Sequence, residues 1–180
     1  MIVSKAQSCI GVVMSKIVLV LFLFFSSLNA YESEEKLKVV IIAKISKFVR
    51  WQSNDNEKFI ITVLNNTYGE LFNRTLNGIK IQNKNIEIKY IDNIDNLSQT
   101  NILYIPMGSG KDLNTILDKT KGKNILTISD IRGFADKDGV MQIYFISQKV
   151  KLRINLSRSK KNNLQISSSL LAIADVIKGI

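Results

Sequence analysis

Three short runs are almost wholly apolar: Phe59 to Leu64 (FIITVL), Ile102 to Ile105 (ILYI) and Ile125 to Ile128 (ILTI). A strand with one wet face alternates polar and apolar residues, so runs without alternation need cover on both faces. Segments of helical character lie between them. One spans Glu70 to Leu76 and ends at Asn77-Gly78; another spans Asp112 to Lys119 and ends at Lys121-Gly122-Lys123. Ile86 to Ile91 alternates as a further strand. Buried strands alternating with helices over short connections predict an α/β fold with a mainly parallel sheet and helices on both faces, three-layer and Rossmann-like.

The flanks complete this pattern. Leu37, Val40, Ile41, Ile45, Phe48 and Val49 recur at three- and four-residue steps, which predicts a helix over Tyr31 to Trp51. Val140 to Ile146 and Val150 to Asn155 read as a hairpin turning at Ser147-Gln148-Lys149, adding antiparallel edge strands. Leu170, Leu171, Ile173, Ala174 and Ile177 predict a closing helix over Ser167 to Lys178. No repeat, low-complexity tract or linker interrupts the chain, so residues 31–180 are expected to form a single domain.

Ahead of that domain, Lys16 precedes the unbroken apolar run Ile17 to Phe25, and a short polar stretch ends at Ala30. Nine apolar residues are too few to span a bilayer, whereas a basic flank, a short apolar core and a small-residue end describe a secretory signal peptide over residues 1–30. Met14 offers an alternative start codon, and an uncleaved inner-membrane anchor is the competing reading. The expected location is the periplasm.

Composition then narrows the chemistry. The 180 residues contain no histidine and one cysteine. Imidazole acid–base catalysis, Ser-His-Asp or Cys-His nucleophiles and His-ligated metals are excluded. The lone cysteine, Cys9, lies in the leader and leaves the exported chain without a thiol. The net charge of +10 falls by two when Lys5 and Lys16 depart. An exported chain meets little DNA, so this charge points to an acidic partner or anionic headgroups and not to nucleic acid. We expect no catalytic residue, no cofactor and no metal.

The motifs that invite a sharper reading do not sustain it. Ile105 to Asp112 (IPMGSGKD) has Ile105 where a phosphate loop needs its first glycine and Asp112 where it needs Ser or Thr, so Ser109 is read as a helix cap. Asp130, Asp136 and Asp138 fit no calcium-loop spacing, and Gly133, Asp136 and Gly139 read as turn residues. Lys149, Lys151 and Arg153 alternate along one face of a strand, which is either a solvated edge or a contact for a partner.

Read in order, KFVRWQ, FIITVL, ILTISDIRGFADKDGVMQIYF, KVKLRINL and LQISSSLLAIADVI resemble the YfiR-like family of small exported bacterial proteins, across residues 36–178. The most specific matches are Arg153 to Leu156, Ile166 to Leu171 and Ile125 to Asp130. The chain departs from the family at Gln52, where a proline is usual, at Val140, where a second glycine is usual, and at Leu152, where an aromatic is usual. The resemblance implies a periplasmic regulator that binds and inhibits a membrane-bound signalling protein such as a diguanylate cyclase, or serves a histidine kinase. The redox control known in the family does not carry over to a thiol-free chain. The competing reading is a periplasmic small-molecule binding or sensor module acting with a separate receptor. Topology puts a small ligand at the carboxyl ends of the parallel strands, near Asn65, Asn66, Met107, Gly108, Ser129 and Asp130. Trp51 is read as either an aromatic anchor for a partner or a core tryptophan, and Lys151 and Arg153 as partner contacts. A homodimer is compatible with all of this.

Overall fold

The structure is a computed structural model and describes residues 34–52 and 56–178. The leader reading falls outside those residues. The chain divides into two units, Met1–Leu37 and Lys38–Ile180. Of the first, residues 34–37 are described, and they are helical. The second holds everything that follows.

It opens with helix α1 (residues 38–45), which buries Val39, Ile42, Ala43 and Ile45. The expected helix does not reach Trp51. After a 3-10 turn at Ser46–Phe48 the chain extends into strand β1 (Val49–Trp51), which pairs antiparallel with β9 (Leu164–Ile166) in a separate two-stranded sheet. The apolar period continues through Phe48 and Val49, but partner strand β9 lies more than 100 residues on, and a local period cannot register it.

The main sheet has eight strands. Five run parallel in the order β4 (Lys84–Ile91), β2 (Phe59–Leu64), β5 (Ile102–Ile105), β6 (Leu126–Ser129), β7 (Met141–Ile146). Every residue of β2, β5 and β6 is buried, as their unbroken apolar runs require. Within β5, Ile102 and Tyr104 join the larger core while Leu103 and Ile105 join a second one. Alternate residues of a strand face opposite sides, so the sheet carries a core on each face. Helix α2 (Leu71–Leu76) contributes Phe72 and Leu76 to the first core. Helix α3 (Leu113–Thr120) contributes Leu113, Ile116 and Leu117 to the second.

The hairpin forms between β7 and β8 (Lys149–Asn155), turning at Ser147 and Gln148 with φ of +48° and +63°. It is not at the edge of the sheet. Strand β10 (Asp175–Ile177) lies beyond it, parallel to β8. The expected closing helix is therefore corrected: only α5 (Ser168–Leu171) is helical, capped by the Ser167 hydroxyl. Ile173 is 75% exposed, so the apolar period there does not mark a buried face. The β-branched pair Val176 and Ile177 instead gains ladder partners in Ile154 and Asn155. Three further elements have no counterpart in the sequence reading: α4 (Leu156–Lys161), β9 and the two-residue β3 (Lys80–Ile81), which pairs with Lys84 and Asn85.

Candidate functional site

The chain places β4 on one side of β2 and then returns to place β5 on the other. Loops leaving the carboxyl ends of β2 and β5 diverge at that point and leave a crevice between them. A cleft of about 320 Å³ lies there, lined among others by Leu64, Asn65, Asp92, Ser109, Lys111 and Asp112. Its walls carry both signs of charge, and Lys119 is ion-paired with Asp95.

Backbone geometry builds this cleft. Asn65 takes a left-handed conformation (φ +53°), and its N–H donates to the Ile91 carbonyl at 2.7 Å, which ties the ends of β2 and β4. Asparagine tolerates that conformation better than most residues. Ser109 does not cap α3. Asp112 occupies the cap position without a side-chain bond, and the buried Ser109 hydroxyl donates to the Leu64 carbonyl at 3.4 Å.

Of the residues proposed from topology, the structure places Asn65 in the cleft wall, while Asn66 is exposed beside it. Ser129 and Asp130 are drawn inward. The Ser129 hydroxyl donates to the Ile105 carbonyl at 2.6 Å and accepts from the Ile131 N–H. Asp130 accepts the Met107 N–H at 2.7 Å and pairs with buried Lys38 at 2.9 Å. Lys38 Nζ also stands 5.9 Å from the Phe145 ring centroid. Together these contacts clamp the ends of β5 and β6 to α1. A buried carboxylate so engaged is a structural tie.

Trp51 is 8% exposed. Its indole N–H donates to the Asn101 carbonyl at 3.1 Å, and its ring meets Phe59 edge-on at 5.2 Å. These are the contacts of a core tryptophan.

The basic strand divides in two. Lys149 and Lys151 are exposed, opposite Ile146 and Tyr144 of β7, and Ile146 is itself 54% exposed. Arg153 is half-exposed and engaged by the chain's own carboxylates. It reaches Asp136 at 2.7 Å and also pairs with Asp175. The hydrogen bonds to Asp136 come first among the causes that raise its pKa above the ordinary arginine value. Two residues on, the Asn155 side chain accepts from the Arg158 N–H to cap α4 and donates to the Ala135 carbonyl. Arg158 is fully buried, pairs with Asp138 at 2.6 Å and donates to the Leu117 carbonyl. Arg153 and Asn155 of the Arg153–Leu156 motif, with Arg158 just beyond it, thus anchor the Ala135–Asp138 loop. Gly139 closes that loop because a Cβ there would stand 2.2 Å from the Phe134 ring. From sequence, Arg158 groups with Lys149, Lys151, Arg153, Lys160 and Lys161 as one positive surface patch; the structure corrects this by burying Arg158 while Lys160 and Lys161 stay exposed.

Among the described residues no group of His, Cys, Asp and Glu could hold a metal ion, and no helix is long and apolar enough to cross a membrane. No curated protein matches the chain. The model of the YfiR/HmsC-like family matches residues 35–175, which span the whole of both sheets except the last two residues of β10. On the strength of that match the chain belongs to the YfiR/HmsC-like family.

Proposed function

We propose that the chain is an exported regulator that binds the periplasmic part of a membrane-bound signalling protein, such as a diguanylate cyclase, and holds it inactive. The observation that carries this reading is the family match over residues 35–175, since the family is one of regulators and not of catalysts. The signal-peptide pattern of residues 1–30 supplies the route to the periplasm. For the contact surface we assign the β7–β8 hairpin. Among the described residues Lys149 and Lys151 form no ion pair there, and beside exposed Ile146 they offer charge and apolar area to an acidic partner. The test is coexpression with a membrane diguanylate cyclase, read as cellular cyclic di-GMP. The chain should lower it, and Lys149→Glu with Lys151→Glu should restore it. Unchanged cyclic di-GMP with a folded, exported chain overturns the reading.

One observation favours a second reading. We read the sheet and its two cores as a three-layer, doubly wound arrangement, in which a cleft at the strand-order reversal is the customary place for a small ligand. The residues lining it, Asn65 and Lys111 among them, provide donors for such a ligand. A ligand-induced thermal shift abolished by Asn65→Ala and Lys111→Ala would assign sensing to this cleft.

A further inference from the structure

The outer side of β4 is an open strand edge. Among the described residues β3 pairs only with Lys84 and Asn85, and no strand pairs with the remainder of that side. The Ile91 carbonyl accepts from Asn65 on the β2 side. N–H and C=O groups alternate in direction along a strand, so Glu87 and Lys89 share the orientation of Ile91, toward β2. Ile86, Ile88 and Tyr90 therefore turn their backbone groups outward. Their side chains pack on the first core but stay half-exposed. A groove of about 620 Å³, lined by Arg74, Asn77, Ile79, Ile86 and Ile88, runs beside them and leaves room for another strand.

We propose that this edge pairs with the same edge of a second copy of the chain, antiparallel about a two-fold axis at Ile88. Three antiparallel registers centred within residues 87–89 bring outward backbone groups face to face clear of β3. Centring on Glu87 sets Glu87 against its own copy, and centring on Lys89 does the same for Lys89. Centring on Ile88 sets Glu87 against the other copy's Lys89 twice, and Ile86 against Tyr90 twice. These Glu–Lys positions are the non-hydrogen-bonded ones, where side chains come closest. Of these three registers, only the one centred on Ile88 is free of opposed like charges. The segment is self-complementary in sequence, which is what a two-fold interface demands. A partner of other sequence would need no such palindrome. The ladder spans residues 86–90, because β3 occupies the strand beyond. Glu87 also has Lys58 at 3.2 Å and Lys89 at 4.0 Å within its own copy, both solvent-facing pairs that can re-partner at little cost.

The test is sedimentation of the protein, in the processed form recovered from cells, across the micromolar range. The wild type should dimerise. Glu87→Lys alone, or Lys89→Glu alone, opposes like charges at both pairs and should weaken the dimer roughly tenfold or more. The double swap should restore it, and an equimolar mixture of the two single variants should form the heterodimer. Circular dichroism of each variant shows that the fold is kept. A wild-type monomer throughout the range, a dimer indifferent to either single variant, or a folded double swap that stays monomeric each overturns the proposal. So does a monomer that accepts a strand from a different protein at this edge.

Discussion

At one end of the main sheet, β8 carries Lys149, Lys151 and Arg153 along one face, and β10 covers its residues 153–155. At the other end, β4 carries Glu87 and Lys89, and β3 covers only Lys84 and Asn85. Among the described residues both ends leave part of a strand unpaired, yet they differ in the sign pattern of the charge. A copy of β8 laid antiparallel on itself about Val150 would oppose lysines, the arrangement that keeps an edge from pairing. A copy of β4 finds opposite charges. The contrast shows that counting charged residues on an edge does not tell whether it is guarded; their order does. It also separates two kinds of interface: side chains displayed at the β8 end and backbone offered at the β4 end.

The β8 end depends on its buried cation. Replacing Arg158 by Met removes the donor to the Leu117 carbonyl and the pair to Asp138, and should cost about 3 kcal/mol in urea unfolding. A loss below about 1 kcal/mol would show that β10 and α4 are held by packing alone. Arg153→Ala breaks two surface-facing pairs and should cost only about 1 kcal/mol. Its sharper readout is faster amide exchange at Val176 and Ile177, since Asp175 anchors β10 through Arg153. If exchange there is unchanged, the clamp does not hold that edge. Lys149→Glu changes the sign pattern at the far end of the sheet, and should leave the β4 dimer constant within about twofold. A larger change would couple the two ends.

The smallest effect concerns Tyr90. Burial, and then the nearby Glu70 carboxylate, raise its phenol above the usual 10.0. A group with a raised folded pKa favours the protonated form. Its contribution to stability is full below pH 10 and is lost as pH climbs through the folded value. The difference in phenolate absorbance between wild type and Tyr90→Phe should show a midpoint above that value. A midpoint at or below it would mean that the β4 edge is wetter than its contacts indicate.

Much of this architecture was legible beforehand where a strand's own composition sufficed. FIITVL, ILYI and ILTI announced their burial on both faces, and the hairpin was legible in the alternation on either side of Ser147 and Gln148. The misreadings cluster where a distant partner decides the local state. Val49 to Trp51 is a strand because Leu164 to Ile166 pairs with it, and Asp175 to Ile177 is a strand because β8 leaves room beside Ile154. Topology pointed to a crevice near Asn65, Asn66, Met107, Gly108, Ser129 and Asp130, and of these only Asn65 lines the cleft. Ser129 and Asp130 are spent on Ile105, Met107 and Lys38. Nothing in the spacing of Lys38 and Asp130, 92 residues apart, signals that pair.

By itself, the sequence determined the class of the fold, the chemistry it cannot perform and the family it belongs to. Apolar patterning acts within a few residues, and the absence of histidine needs no coordinates. The tertiary structure decided which charges are spent and which are displayed. Arg153, Arg158 and Asp130 are consumed in anchoring loops, while Lys149, Lys151, Glu87 and Lys89 remain at the two ends of the sheet. That allocation depends on burial and on partners distant in the chain, since a charge taken from water must find its counterpart wherever the fold has brought one.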